Sequence, residues 1–499
     1  MATIRKQSIY SSLFIYAGFA IGAINVLYLF PKFFTPEEFG LTRVLMDIAL
    51  IFSTICAAGT LPVAMKFYPF YKHHLPKKNN DLLTWVFVTG MLMCLAVYLC
   101  FPFIEPWALK KFGYRSPILV THFKWVYPLT ISLVAISMLE VFAWIIGRTV
   151  IANFLKEFLF RILTLLLIGI WAIGSLTDFN FFIGAYASLY FIPVVILIWV
   201  VYRSGEFSIN FSPSKVTHRY KGIMLKFGGA YFLSAVLNIV AKTNDTLIIA
   251  SQSQGGLADA AIFTIATYLI TVMDVPQRSM VSAATPQIAM AWKNNDLDKL
   301  DRIYKKTALN LLVIAAGIMG VVLMAIPFLE DILGPSYGGL TLLMLVLGFG
   351  KLIDLGTGLN SQILQLSKHW KIDLFTNMFF VVISILLNYL LTRNYGIIGT
   401  AFGSLTAIIL YNLIRFLYIR KIYGLQPFSK KNGYALLLAV LFATSIYFVP
   451  LPLPIWLNSL IKIAIFSGCY GISIIKLKIS QDLTDLWKLL YQKLQSFLS

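Results

Sequence analysis

Charge is what this sequence has least of. Asp, Glu, Lys and Arg make up only 12% of its 499 residues, against about 25% in an ordinary soluble domain. A chain so poor in charge cannot clothe a water-facing surface, which excludes a soluble globular protein. Acids are the scarcer sign, 21 against 41 Lys and Arg. Cysteine is nearly absent, and Cys56, Cys94, Cys100 and Cys469 all fall in apolar runs without metal-ligand spacing. That excludes a disulfide framework and a structural metal module, and the four read as small packing residues. There is also no glycine-rich nucleotide loop and no nucleophile constellation. An enzyme is therefore not expected, nor is a cofactor. The paired His73-His74 fall in a basic loop and read as solvated side chains, not a metal site.

What the sequence does have is hydrocarbon. It is 59% hydrophobic, with a mean hydropathy of +0.80. Apolar runs long enough to cross about 30 Å of bilayer core recur from end to end. The runs are continuous and not alternating, so a membrane barrel is excluded and an all-α polytopic membrane protein is predicted. The expected spans are 9–30, 41–65, 82–103, 118–146, 151–174, 179–202, 223–250, 258–285, 307–329, 337–365, 372–392, 396–419, 433–448 and 455–475, about fourteen in all. The first is too long for a signal-peptide core and lacks a clear cleavage site, so it is expected to stay as a helix.

The net charge of +20 would suit nucleic acid if it were clustered. Instead the cations alternate between short loops. Lys72, Lys77 and Lys78 follow the second span, Arg148 and Lys156 the fourth, and Arg203, Lys215, Arg219 and Lys221 the sixth. Lys299, Arg302, Lys305 and Lys306 follow the eighth, and Arg420, Lys421, Lys430 and Lys431 the twelfth. This bias predicts cytoplasmic termini and attraction to anionic lipid, with no nucleic-acid partner. The outer loops are short, and the longest, 104–117, cannot hold a folded domain.

The chain also reads as two copies of one unit. The sixth expected span begins Phe182-Ile183-Gly184-Ala185 and the twelfth Ile397-Ile398-Gly399-Thr400, and each closes a set of six. Two six-helix lobes in parallel pseudo-repeat are therefore expected, related by an axis along the membrane normal. They would occupy 1–202 and 221–423, with 203–220 as cytoplasmic linker and two further helices in 424–479. In 480–499, Leu483, Leu486, Trp487, Leu490, Leu494 and Phe497 form one stripe behind a Ser480 cap. That predicts an amphipathic helix on the inner membrane surface, with partner docking as the alternative.

The stretch 226–286 draws attention because its apolar helices carry charge. A charge at mid-membrane costs about 2.5–3.5 kcal/mol on insertion scales, so it normally faces a partner or a wet cavity. Lys242 and Asp245 are three apart; Asp274 and Arg278 are four apart, flanking Pro276. Each spacing puts both members on one helix face. Arg43 with Asp47 reads as either an interfacial ion pair or part of a cavity. Lys351 with Asp354 reads as an inter-helix structural pair or a site, and Lys124 as a snorkelling cation or a substrate contact. Glu140 lies toward the inner end of the fourth span. The aspartates could also carry a coupling proton, and the sequence singles none out.

The run Tyr395-Gly396-Ile397-Ile398-Gly399-Thr400-Ala401-Phe402-Gly403-Ser404, continuing to Arg415, Tyr418, Arg420, Lys421 and Gly424, resembles bacterial polysaccharide-biosynthesis membrane proteins. These are the oligosaccharide-lipid flippases of the multidrug/oligosaccharidyl-lipid/polysaccharide exporter superfamily. The run from Phe30-Pro31-Lys32 through Thr35-Pro36-Glu37-Glu38-Phe39-Gly40 is similar to that family's first outer loop. The resemblance implies two lobes around a central cavity and a bacterial inner-membrane location. It implies transport of an undecaprenyl-diphosphate-linked oligosaccharide, as in O-antigen (lipopolysaccharide), capsule or exopolysaccharide assembly. Cavity cations engaging the diphosphate would then be Arg43, Lys242, Arg278 and Lys124. Asp47, Asp245, Asp274, Lys351 and Asp354 would be their partners or coupling groups. The first helix offers only Asn25 where some members carry a charge. Membrane lipids, and a glycan polymerase or glycosyltransferase, are the expected partners. The alternatives are a multidrug exporter of the same superfamily and a non-transporting scaffold of a glycan-assembly complex.

Overall fold

The structure is a computed structural model describing residues 2–174, 178–205 and 209–498. Among these residues it is helical throughout, with no strand, as the continuous apolar runs require. Packing divides it into two compact units, Met1–Ala261 and Ile262–Ser499.

The first unit begins with α1 (Ala2–Ile24), a π-helical turn (Asn25–Leu29) and α2 (Phe30–Phe33). It continues through α3 (Pro36–Ala57), α4 (Thr60–His74), α5 (Leu82–Phe112), α6 (Pro117–His122) and α7 (Val126–Ile145). After α8 (Thr149–Asn153) comes a second π turn (Phe154–Leu159), then α9 (Phe160–Ala172), α10 (Phe179–Ser188), α11 (Phe191–Arg203) and α12 (Lys215–Gln252). The start of α3 is written locally. Pro36 occupies the first helical position, the Thr35 hydroxyl accepts from the Glu38 amide, and Glu38 accepts from the Thr35 amide at 2.9 Å. That is a capping box, which satisfies donors otherwise left open at a helix start. The helix then breaks at Ala58 and Gly59, both left-handed (φ 48° and 68°). A Cβ on Gly59 would run into the Gly228 carbonyl oxygen, so glycine is what lets α12 approach here.

The division between the two units falls inside the helix Gly256–Thr271. Asp81 fastens the start of α12 within the first unit, its carboxylate accepting from the Ser214 amide at 2.9 Å and the Thr217 hydroxyl at 2.6 Å. Ser214 in turn caps α12. The Ser116 hydroxyl fastens the other end, donating to the Ala250 carbonyl at 2.7 Å. Most of the outer loop expected over 104–117 is helix. α5 continues to Phe112 with Pro102 and Pro106 inside it.

The second unit follows from α13 (Gly256–Thr271) with α14 (Asp274–Lys293), α15 (Leu297–Leu333), α16 (Leu340–Gly356) and α17 (Asn360–Leu366). α18 (Trp370–Tyr423), α19 (Lys430–Tyr447), α20 (Ile455–Lys476) and α21 (Gln481–Leu498) complete it. α13 and α14 meet at a 44° bend, four residues ahead of Pro276, whose missing N–H and ring disfavour a continuous ladder there. α18 is two helices joined at Gly396 (φ 60°, ψ −144°), a backbone region open essentially to glycine alone. Tyr304, Leu311, Met319, Leu355, Ile363 and Ile419 form one core. In bilayer such a core is held by close packing more than by exclusion of water. Phe466 of α20 seats against Gly320, leaving no room for a Cβ there.

By length and apolarity ten helices suffice to cross a membrane, or eleven if the bent α13–α14 pair is one span, among the described residues. The expected segments outside that set are 151–174, interrupted by its π turn, and 433–448 in the short α19, while the expected 372–392 and 396–419 lie together in the single long α18. The chain is thus a multi-pass membrane protein of all-α class. Of the tail, α21 exists and Ser480 caps it, accepting from the Leu483 amide at 3.3 Å. Its beginning is docked on α15. Asp482 pairs with Lys306 at 2.7 Å and accepts from Asn310 at 2.7 Å. The side chains of Leu486, Leu490, Leu494 and Phe497 lie outside the described residues.

Candidate functional site

In the first unit, α3 and α12 carry the charged positions. Asp47 takes a hydrogen bond from the Thr246 side chain, with Arg43 and Asp245 close enough to act on it electrostatically. Arg43 and Asp47 form no ion pair among the described residues. The Arg43 guanidinium instead lies over two rings, 5.4 Å from the centroid of Phe30 and 5.2 Å from that of Phe39. Those rings are stacked, their centroids 4.9 Å apart. The Arg43 Nε–H is buried and has no partner, leaving one charge-assisted donor unused. Three residues before Asp245, Lys242 is exposed and makes no ion pair among the described residues. Lys124 is exposed too, 5.8 Å above the Trp125 ring.

The second unit holds a charge cluster whose pairing differs from expectation. Asp274 opens α14, where a carboxylate complements the helix dipole. Its partner is not Arg278 but Lys351 of α16, at 2.6 Å. Lys351 also meets Asp354 at 3.2 Å, as their spacing of three predicts. Asp354 accepts from Asn412 of α18 at 3.3 Å, and the Asn412 carbonyl accepts from Thr357 and Asn360, each at 2.8 Å. One ammonium therefore serves two carboxylates, and amides complete the shell. Arg278, released from the expected pair, is exposed and makes no ion pair among the described residues.

Three pairings were not visible in the sequence. Arg415 is almost fully buried, with 1% exposure. It pairs with Asp373, donates from Nε to the Thr376 hydroxyl at 2.9 Å, and lies 3.9 Å from the Tyr411 ring centroid. This is a saturated structural pair joining two parts of α18. Glu140, buried on α7, accepts from Lys156 at 2.8 Å, although Lys156 had read as a topology signal. The polar residues Asn360 and Asn412 inside apolar runs were the signal for the Lys351 network. His73 and His74 are exposed, and no group of three metal-ligating side chains occurs among the described residues. All four cysteines are free, with Cys56 and Cys94 packed in one apolar cluster.

No known protein-family profile matches the sequence, and no curated protein matches it. Solved structures do match. The lipid II flippase MurJ, in an inward closed conformation, superposes with a TM-score of 0.69 at 14% identity, covering 94% of this chain and 99% of that one. An inward-facing multidrug resistance MATE transporter of the MOP superfamily gives 0.60 at 17% identity, covering 83% and 94%. A Vibrio cholerae MATE transporter gives 0.53 at 16%, covering 84% and 98%. This chain has the fold shared by MurJ and the MATE transporters, as the resemblance in its sequence implied.

Proposed function

We propose that this protein is a flippase that moves an undecaprenyl-diphosphate-linked oligosaccharide across the bacterial inner membrane by alternating access. The glycan would be an O-antigen, capsule or exopolysaccharide repeat unit. The observation that carries this reading is the state of Lys242 and Arg278. Both are exposed on helices of apolar segments, and neither is neutralised by an ion pair among the described residues, while Asp274 is held by Lys351. Unneutralised cations are costly in hydrocarbon and useful where an anion must pass. Fixed Arg and Lys groups can replace the hydration of a diphosphate, and a guanidinium can clamp two phosphate oxygens at once. In this reading Arg43, through its unused Nε–H, and Lys124 are further cations for the diphosphate. The Asp47–Asp245 and Asp274–Lys351–Asp354 clusters act as supports or coupling groups. The two pseudo-repeat lobes, six helices each, rock about the site, and both termini face the cytoplasm by the bias of the basic loops. The likeness to a lipid II flippase supports a lipid substrate. An apolar groove of about 530 Å³ along α15 and α20, lined by Gly317, Phe466 and Gly471, supports a place for hydrocarbon. A glycan polymerase or glycosyltransferase would act beside it.

The likeness to MATE transporters favours a second reading, a small-molecule exporter. Deletion in the source organism separates the two. Accumulation of a lipid-linked glycan on the inner leaflet supports the flippase, whereas unchanged glycan with heightened sensitivity to cationic drugs supports the exporter.

A further inference from the structure

We infer that the first unit carries a separate pocket for the phosphorylated sugar head of an anionic lipid, one that none of Arg43, Lys124 and Lys242 lines. The ligand class rests on the flippase reading; the pocket stands on its own geometry. Helices α4, α7 and α12, with the π turn after α8, surround a cavity of about 800 Å³, within the usual size of small-molecule sites. Lys66 and Lys156 both line it, together with Glu140, Trp144, Phe227 and Tyr231. Glu140 is only 5% exposed, while the Lys156 side chain that it holds stays 48% exposed. A buried carboxylate thus tethers an ammonium that remains accessible from the cavity. Lys66 is exposed and has no carboxylate partner among the described residues; its ammonium stands 3.9 Å from the Phe227 ring centroid. Two cations against one acid leave the pocket with a net charge of about +1 near neutral pH.

The chemistry selects the ligand. Lysines bind phosphate as point charges through several charge-assisted hydrogen bonds. Lys66 is free to do so at once, and Lys156 can turn from Glu140 to an incoming phosphate oxygen. Trp144 and Tyr231 offer apolar faces with polar edges, the surface a sugar ring needs next to its phosphate. Tyr231 lies against Phe227, ring centroids 4.7 Å apart. Lys66 belongs to the helix that runs into the basic 72–78 loop, which places the pocket on the cytoplasmic side by charge bias. A head group would be held here before it is moved.

The test is isothermal titration of the full-length protein in phosphatidylcholine nanodiscs. The probes are farnesyl-diphosphate-linked N-acetylglucosamine, farnesyl diphosphate and inorganic pyrophosphate. Expected results are about tenfold weaker binding of the sugar-bearing probe in Lys66→Ala and Lys156→Ala, and tighter binding in Glu140→Gln, which frees Lys156. Trp144→Ala should weaken the sugar-bearing probe and leave farnesyl diphosphate unchanged. Lys78→Ala, an exposed lysine outside the pocket, controls for surface charge. A thermal melt confirms that each variant is folded. If Lys156→Ala is not, Lys66→Ala and Glu140→Gln, with their opposite signs, still decide. Equal affinity in all variants, no binding by wild type, or equal competition by phosphatidylglycerol added to the discs would overturn the pocket. This readout is binding alone. Its failure leaves the transport reading in place, and wild-type flux in Lys242→Ala and Arg278→Ala would remove the transport reading while leaving the pocket.

Discussion

The Lys351 ammonium lies 2.6 Å from the Asp274 carboxylate, tying the first turn of α14 to α16 immediately after the bend in the α13–α14 segment. Because Lys351 also serves Asp354, removing it leaves two half-buried carboxylates facing one another. Loss of one partner of a buried pair costs about 3–5 kcal/mol, and a half-exposed cluster such as this one less, about 2 kcal/mol. Lys351→Met should therefore lower the melting temperature of the purified protein clearly. The triple change Asp274→Asn, Lys351→Met, Asp354→Asn should recover most of the loss, since no charge is then left unpaired. A triple variant no more stable than Lys351→Met would show that this network is not electrostatic in origin.

The sequence disclosed what is local and withheld what is tertiary. The apolar runs became helices because run length and hydropathy are properties of the segment itself. The Thr35–Glu38 box and the Ser480 cap formed because each needs only residues three apart. The spacing of Asp274 and Arg278 licensed a pair equally well, yet Lys351 won because α16 brings it into reach, which no local pattern records. Arg415 and Asp373 are 42 residues apart, and the pairing of Glu140 with Lys156 needs the turn between α7 and α8. The attachment of α12 uses Asp81 and the Gly59–Gly228 approach, neither of which alters hydropathy.

Arg415 gives a contrast with the exposed cations. Its guanidinium serves Asp373 and Thr376 from different nitrogens, a fork that an ammonium cannot reproduce. Arg415→Lys should destabilise by about 2 kcal/mol and Arg415→Met by about 3–5 kcal/mol. Membrane-inserted protein levels and thermal melts read this directly, and unaltered stability in Arg415→Met would contradict the structural role.

Gly396 should be irreplaceable for backbone reasons. At φ 60° and ψ −144°, an L side chain costs about 1–3 kcal/mol. Gly396→Ala should lower the melting temperature, whereas Gly433→Ala, in a helical backbone with open space around it, should not. Equal melting of the two variants would mean that the Gly396 junction relaxes freely.

The membrane orientation is open to a direct check. Reporter fusions at Lys78, Lys215 and Lys431 should all read cytoplasmic under the basic-loop bias. One outward reading among them would break the even count of helices between those positions and with it the two-lobe repeat.

The central claim, that the unneutralised cations escort a diphosphate head, is tested by flux. Lys242→Ala and Arg278→Ala remove exposed side chains without ion-pair partners among the described residues, so surface-level effects within about 0.5 kcal/mol are expected on stability. Both variants and wild type should be reconstituted in proteoliposomes, and the leaflet-to-leaflet transfer of an undecaprenyl-diphosphate-linked oligosaccharide measured. The account predicts normal melting with transfer abolished in each variant; transfer at the wild-type rate in both would contradict it.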